Sequence, residues 1–133
     1  MTDPLPIVPF PDVEALVVAF LTPRLPGVTV ASEWPEDLAE HLPVVAVSRV
    51  GGATELRYVL EDVAIDLDVL AASKAGAQDL VQSVRALLLT APSNPTPGAR
   101  IYLVTDDALV WVPDPVTELP RYVLTCTLRV RPA

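Results

Sequence analysis

Cysteine is almost missing from this chain. Cys126 stands alone, so no intrachain disulfide and no cysteine-built metal cluster can form. A reducing cytoplasm is the expected place of folding. Lysine is as scarce: Lys74 is the single one, against eight arginines. His41 is the sole histidine, and aromatic residues make up 5% of the chain. No apolar run approaches the ~20 residues that a membrane-spanning helix needs. The opening Met1-Thr2-Asp3-Pro4 lacks the basic region and apolar stretch of a signal peptide, so no membrane partner is expected.

What remains is acidic, apolar and rich in proline. The 133 residues carry a formal net charge of −8 and a pI near 4.4, with 51% hydrophobic residues and 15 prolines. That length fits one domain, and the apolar content excludes a disordered chain. The negative balance disfavours broad contact with phosphates, which requires Lys and Arg to displace counterions, and disfavours anionic lipid surfaces. It favours solubility or a basic protein partner.

The proline pattern divides the chain. Pro4, Pro6, Pro9 and Pro11 predict an extended arm over residues 1–11, carrying the apolar Leu5, Ile7, Val8 and Phe10. Residues 12–133 are then expected to form a single α+β domain. Within it, Val13, Leu16, Val17, Phe20 and Leu21 share one helical stripe over residues 12–22. Pro23, Pro26 and Gly27 stop that helix. A second stripe of Ala77, Leu80, Val81, Val84, Leu87 and Leu88 predicts a helix over 74–90, with Ser73 as its N-cap.

Short β-branched runs predict strands at 28–30, 43–50, 63–70, 100–105, 108–112 and 121–131. Residues 35–42 read as one helical turn or a loop. Gly51-Gly52 is expected to break the strand before it, residues 53–60 read as loop turning to strand near Tyr58, and Asp106-Asp107 reads as a tight hairpin turn. In the last strand Tyr122, Leu124, Cys126, Leu128 and Val130 face the core, and Thr125, Thr127, Arg129 and Arg131 face away. The expected fold is α+β: an antiparallel or mixed sheet with two helices packed on one face.

The parts of a catalytic centre are missing. His41 has acidic neighbours, Glu36 and Glu40, but no serine or cysteine nucleophile in a recognisable setting. Asp66 and Asp68 share one strand face and Asp106 adjoins Asp107, yet no EF-hand spacing accompanies them. Gly51-Gly52 lacks both phosphate-loop spacings. Hence neither catalytic residues, nor a metal, nor a cofactor is expected. Tyr58, Trp111 and Tyr122 could line a ligand pocket, and Trp34 and Trp111 could anchor loops or fill a partner's pocket.

The serial order carries a resemblance. It runs from Pro11-Asp12-Val13-Glu14-Ala15-Leu16 through Leu25-Pro26-Gly27-Val28 and Leu42-Pro43-Val44-Val45 to Arg49-Val50-Gly51-Gly52. It continues with Ile65-Asp66-Leu67-Asp68-Val69, the helical face of Ala77, Leu80, Val84 and Leu87, Trp111-Val112-Pro113-Asp114 and Pro120-Arg121-Tyr122, and ends at Arg129-Val130-Arg131. This order, over residues 11–131, resembles the tail terminator (tail completion, head-to-tail joining) proteins of long-tailed bacteriophages, especially those of actinobacterial hosts.

The resemblance implies a structural virion protein made in the host cytoplasm and no enzyme. It implies a homo-oligomer, a hexameric ring that caps the tail tube, stops its polymerisation and meets the head connector. DNA would pass through without sequence-specific binding. The expected subunit or partner contacts are Ile7, Phe10, Arg49, Gly51, Gly52, Arg57, Trp111, Arg121, Arg129 and Arg131. Asp66 and Asp68 are candidates for an acidic lumen that repels phosphate. The alternatives are a head-closure or connector ring subunit and a small-molecule binding module.

Overall fold

The structure, a computed structural model, describes residues 8–56, 60–96 and 98–132. Ile7, Arg57 and Tyr58 lie outside the described residues, as does most of the predicted arm. In chain order the elements are α1 (Val13–Leu21), β1 (Thr29–Ala31), β2 (Val44–Leu56), β3 (Leu60–Leu70), α2 (Lys74–Thr90), β4 (Ala99–Trp111) and β5 (Arg121–Pro132). A short 3-10 turn, Leu38–Glu40, interrupts the connection from β1 to β2.

The five strands form one sheet in the order β1-β2-β3-β5-β4. β1 runs parallel to β2, and every other pair is antiparallel. The sheet is therefore mixed, and both helices contribute to a core on one of its faces. The α+β expectation holds.

Alternation decides which side chains enter that core. On β3, Val63, Ile65, Leu67 and Val69 are fully buried. They meet Leu124, Cys126, Leu128 and Val130 of β5, and the stripes of both helices close over them. Burying each such aliphatic side chain contributes about 1.5–3 kcal/mol. The helices start where their polar residues permit. The Asp12 carboxylate accepts a hydrogen bond from the Ala15 N–H at 3.1 Å, and the Ser73 hydroxyl accepts one from Gly76 N–H at 3.0 Å. Each satisfies a donor that the first helical turn leaves without a partner.

Two sequence expectations fail for the same reason. Gly51-Gly52 does not end a strand: β2 runs on to Leu56, with a bulge between Arg49 and Gly51. Gly52 sits at φ +139, where an added Cβ would lie 2.3 Å from the Asp62 carbonyl oxygen. Glycine is there to let two backbones approach, not to stop pairing.

Likewise Asp106-Asp107 is no hairpin turn. β4 is one strand of 13 residues with a bulge between Asp106 and Ala108. The bulge places two residues opposite one, and each aspartate finds its own partner. Asp106 pairs with Arg85 of α2, and Asp107 accepts from the Thr127 hydroxyl at 2.5 Å.

Candidate assembly surfaces

The side of the sheet without helices is a polar face. From β3 it receives Asp62, Asp66 and Asp68, and from β5 Arg121, Thr125, Thr127 and Arg129. Asp62 takes two hydrogen bonds from Arg129, at 2.9 and 3.0 Å. Asp66 accepts from the Thr125 hydroxyl at 2.7 Å. Arg121 lies 3.5 Å from Asp68 and 3.9 Å from Asp114, while its Nε donates to the Val112 carbonyl at 2.8 Å. Burial raises the Asp68 carboxyl above the ordinary carboxylate value; Arg121 opposes that, and Asp66 and Asp114 add to it.

The predicted lumen pair, Asp66 and Asp68, thus shares one half-buried face with Arg121 and Arg129, and each carboxylate already has a partner. At one end of this face, where the Ala71 N–H reaches the Pro120 carbonyl, Val44, Ala46 and Leu70 are buried as well.

One sheet edge is β4. Among the described residues no strand pairs with its outer side, and Leu103 and Val110 are each 50% exposed there. At its start, Arg100 stands directly across from Arg131 of β5. Tyr102 lies beside both: the guanidinium of Arg100 is 5.1 Å from the ring centroid and that of Arg131 is 5.5 Å. Like charges facing each other across strands are destabilising, and the aromatic face offsets part of that. Among the described residues neither arginine pairs with a carboxylate.

Arg131 was legible as an outward residue, but Arg100 and Tyr102 were not. Counting the β4–β5 pairing outward from a continuous strand would have brought them to it.

The opposite edge is made differently. β1 covers only Val44, Val45 and Ala46 of β2. Farther along β2 the Arg49 N–H is taken by the Glu14 carboxylate of α1, at 2.8 Å. The Arg49 guanidinium reaches Glu61 at 2.7 Å. Glu61 is buried, and its Oε1 has no hydrogen-bond partner among the described residues. Arg49 therefore sits with Glu14 and Glu61 on the helix-covered side, apart from Arg121, Arg129 and Arg131.

Gly51 is exposed beside it. Beyond β1 the chain carries Glu33, Trp34, Glu36, Asp37 and Glu40, all exposed. His41 is exposed too, and its carbonyl accepts from the Thr29 hydroxyl at 3.1 Å.

The remaining predicted contacts are scattered. Phe10 is half-buried. Trp111 lies on the helix-covered side, 5.0 Å from the Tyr122 ring and capped by the Lys74 ammonium at 4.5 Å. Trp111 and Tyr122 therefore pack on each other; Tyr58, the third residue of the expected pocket, lies outside the described residues. An open cleft of about 340 Å³ lies elsewhere, between Pro11, Leu16, Phe20, Arg24, Pro95 and Ala99. Its polar groups are already engaged: Asp12 caps α1, and Arg24 donates to the Phe20 carbonyl.

Among the described residues no three His, Cys, Asp or Glu side chains gather as metal ligands would, and no helix is long and apolar enough to cross a membrane. Cys126 is buried, and desolvation, reinforced by Asp106 and Asp107, pushes its thiol up to about 12.

No curated protein sequence matches the chain. Among solved structures, a chain of the virion of a native gene transfer agent particle superimposes with a TM-score of 0.52 at 17% identity, over 91% of this chain and 86% of that one. That likeness is one of fold. A family model described as phage tail termination protein matches residues 9–102. The chain belongs to the phage tail termination protein family, whose members are structural proteins of the phage tail.

Proposed function

We propose that this chain closes the end of the phage tail tube as a ring, hexameric by the resemblance noted above, that stops tube polymerisation and presents a surface for joining the head. The observation that carries the reading is the pair of unlike open edges on one sheet. One is the apolar and basic β4 edge, the other the acidic edge beyond β1. A head-to-tail contact whose rotation closes makes a ring, and it needs two different surfaces on each copy. With the edges meeting neighbours, one face of each copy turns toward the bore, on this reading the helix-free face bearing Asp62, Asp66 and Asp68. Repulsion of passing DNA rests on the net charge of −8 of the whole chain, since Arg121 and Arg129 offset carboxylates on that face.

The contact set expected from the sequence fits this arrangement in part. Arg131 approaches the β4 edge, Arg129 is held on the helix-free face by Asp62 of β3, and Gly51 and Gly52 lie on the distal half of β2. The arginine-rich, lysine-poor composition fits a GC-rich host such as an actinobacterium.

The test is electron microscopy of tails assembled without this protein. Overlong tubes are expected. Tails of normal length left unjoined to heads would instead assign the chain to a head-closure ring. A bore that is basic overall in the assembled ring would remove the repulsion argument.

A further inference from the structure

We infer that Arg100, Tyr102 and Arg131 form a clasp that receives the acidic segment 33–40 of a neighbouring copy of this chain, an inference that rests on the ring reading above. The clasp joins two guanidinium groups, opposed across β4 and β5, to one aromatic ring. Neither guanidinium pairs with a carboxylate among the described residues, so an incoming anion relieves their mutual repulsion. Leu103, 50% exposed, adds an apolar shoulder.

The acidic segment is the complement. Glu33, Glu36, Asp37 and Glu40 are exposed and make no ion pair among the described residues, and Trp34 among them is 46% exposed. An exposed aromatic flanked by carboxylates suits a contact whose core is apolar and whose rim is charged.

Position excludes the contact within one copy. The clasp lies on β4, at one edge of the sheet, and the segment follows β1, at the other edge. They also sit at opposite ends of the strands. Arg100 is near the start of β4, beside the end of β5, while β1 pairs with the start of β2, beside the end of β3. The two corners are thus diagonal on one copy and can meet only between copies. A second copy is favoured over nucleic acid because the chain sets 17 acidic groups against 9 basic ones, a balance that disfavours phosphate and leaves carboxylates of its own kind as the abundant anions.

The test uses the full chain, alone and with purified tail tubes, and reads mass against concentration by light scattering. One variant carries Arg100→Glu and Arg131→Glu, a second carries Glu33→Arg and Glu36→Arg, and a third carries all four changes. Each two-site reversal is expected to weaken association by about tenfold or more, and the four-site variant to recover most of the loss, as charge pairs across an interface do. Tyr102→Ala should also weaken association without altering charge, and thermal melting of each variant checks its folding.

If the wild type forms rings that the reversals do not weaken, or that the four-site variant does not restore, the clasp is wrong and the ring reading stands. A wild type that stays monomeric both alone and on tubes overturns both. Binding of a short DNA duplex that is lost in the Arg100→Glu, Arg131→Glu variant would assign the clasp to phosphate and overturn its pairing with segment 33–40.

Discussion

Asp62 of β3 and Arg129 of β5 face each other across the helix-free side of the sheet, joined by two hydrogen bonds of 2.9 and 3.0 Å. A planar guanidinium meets a carboxylate with both oxygens engaged, the geometry in which such pairs are strongest. A double-mutant cycle of Asp62→Ala and Arg129→Ala, followed by urea unfolding, should give a coupling of about 1 kcal/mol. That coupling should shrink as salt is raised, because the pair is partly exposed. A coupling indistinguishable from zero would show that the pair is decorative.

Three glycines make a graded series. Gly51 has no strained φ, and its added Cβ would lie 3.9 Å from Ala64, so Gly51→Ala should leave the melting temperature nearly unchanged. Gly27 has φ +78 with open space around it, and alanine there should cost about 1 kcal/mol. Gly52 combines φ +139 with backbone 2.3 Å from the new atom. Gly52→Ala should cost the most, about 3 kcal/mol or more, since both strain and a backbone shift are forced. Thermal melts of the three variants check the order.

Asp68 and Asp114 should bend the pH dependence of stability in opposite directions. The Asp68 carboxyl is raised by burial, so its contribution is fully present below the unfolded value of about 3.9 and is lost as pH rises through the folded value. Asp68→Asn should therefore be at least as stable as wild type at pH 7, with that advantage fading in acid.

The Asp114 carboxyl is lowered by hydrogen bonds from Thr117, first from its N–H and then from its hydroxyl, at 2.8 and 2.7 Å. Its contribution is present above about 3.9 and is lost as pH falls through the folded value. Asp114→Ala should weaken the chain at pH 7 and match it in strong acid. Unfolding midpoints measured from about pH 2 to 7 distinguish the two.

Cys126 should resist alkylation. Its thiol is buried and pushed up to about 12, so iodoacetamide at pH 8 finds almost no thiolate in the folded chain. Labelling should appear only as denaturant opens the sheet. Rapid labelling in native buffer would place the residue at a surface.

Both helices were legible because their apolar stripes repeat at 3.6, and the Ser73 cap of α2 is local. Lys74–Thr90 matches the expected 74–90, and the five stripe residues of α1 are its five buried ones. β5 was legible for the same reason, at a period of 2. What misled were residues whose usual meaning is a turn. Gly51-Gly52 and Asp106-Asp107 each sit at a bulge, and a bulge is a property of the pair of strands, which no single segment carries. The same holds for the surfaces. Arg131 could be read as facing outward, but its standing opposite Arg100, with Tyr102 between them, exists only once the β4–β5 register is fixed. The diagonal placement of the basic and acidic corners exists only once the strand order is known.

That diagonal has a consequence for the shape of an assembly. Neighbours in a ring are related by pure rotation, which moves nothing along the axis. Strands lying parallel to that axis would bring each copy level with the next, and diagonal corners could not touch. For the start of β4 to reach the far corner of the next copy, the strands must lean away from the bore axis. Closed sheets obey the same relation, in which stagger between neighbours and strand tilt are one quantity. A tube-closing ring built this way would present a slanted β wall to the DNA, with the lean set by how far Arg100 stands along the strands from Glu36.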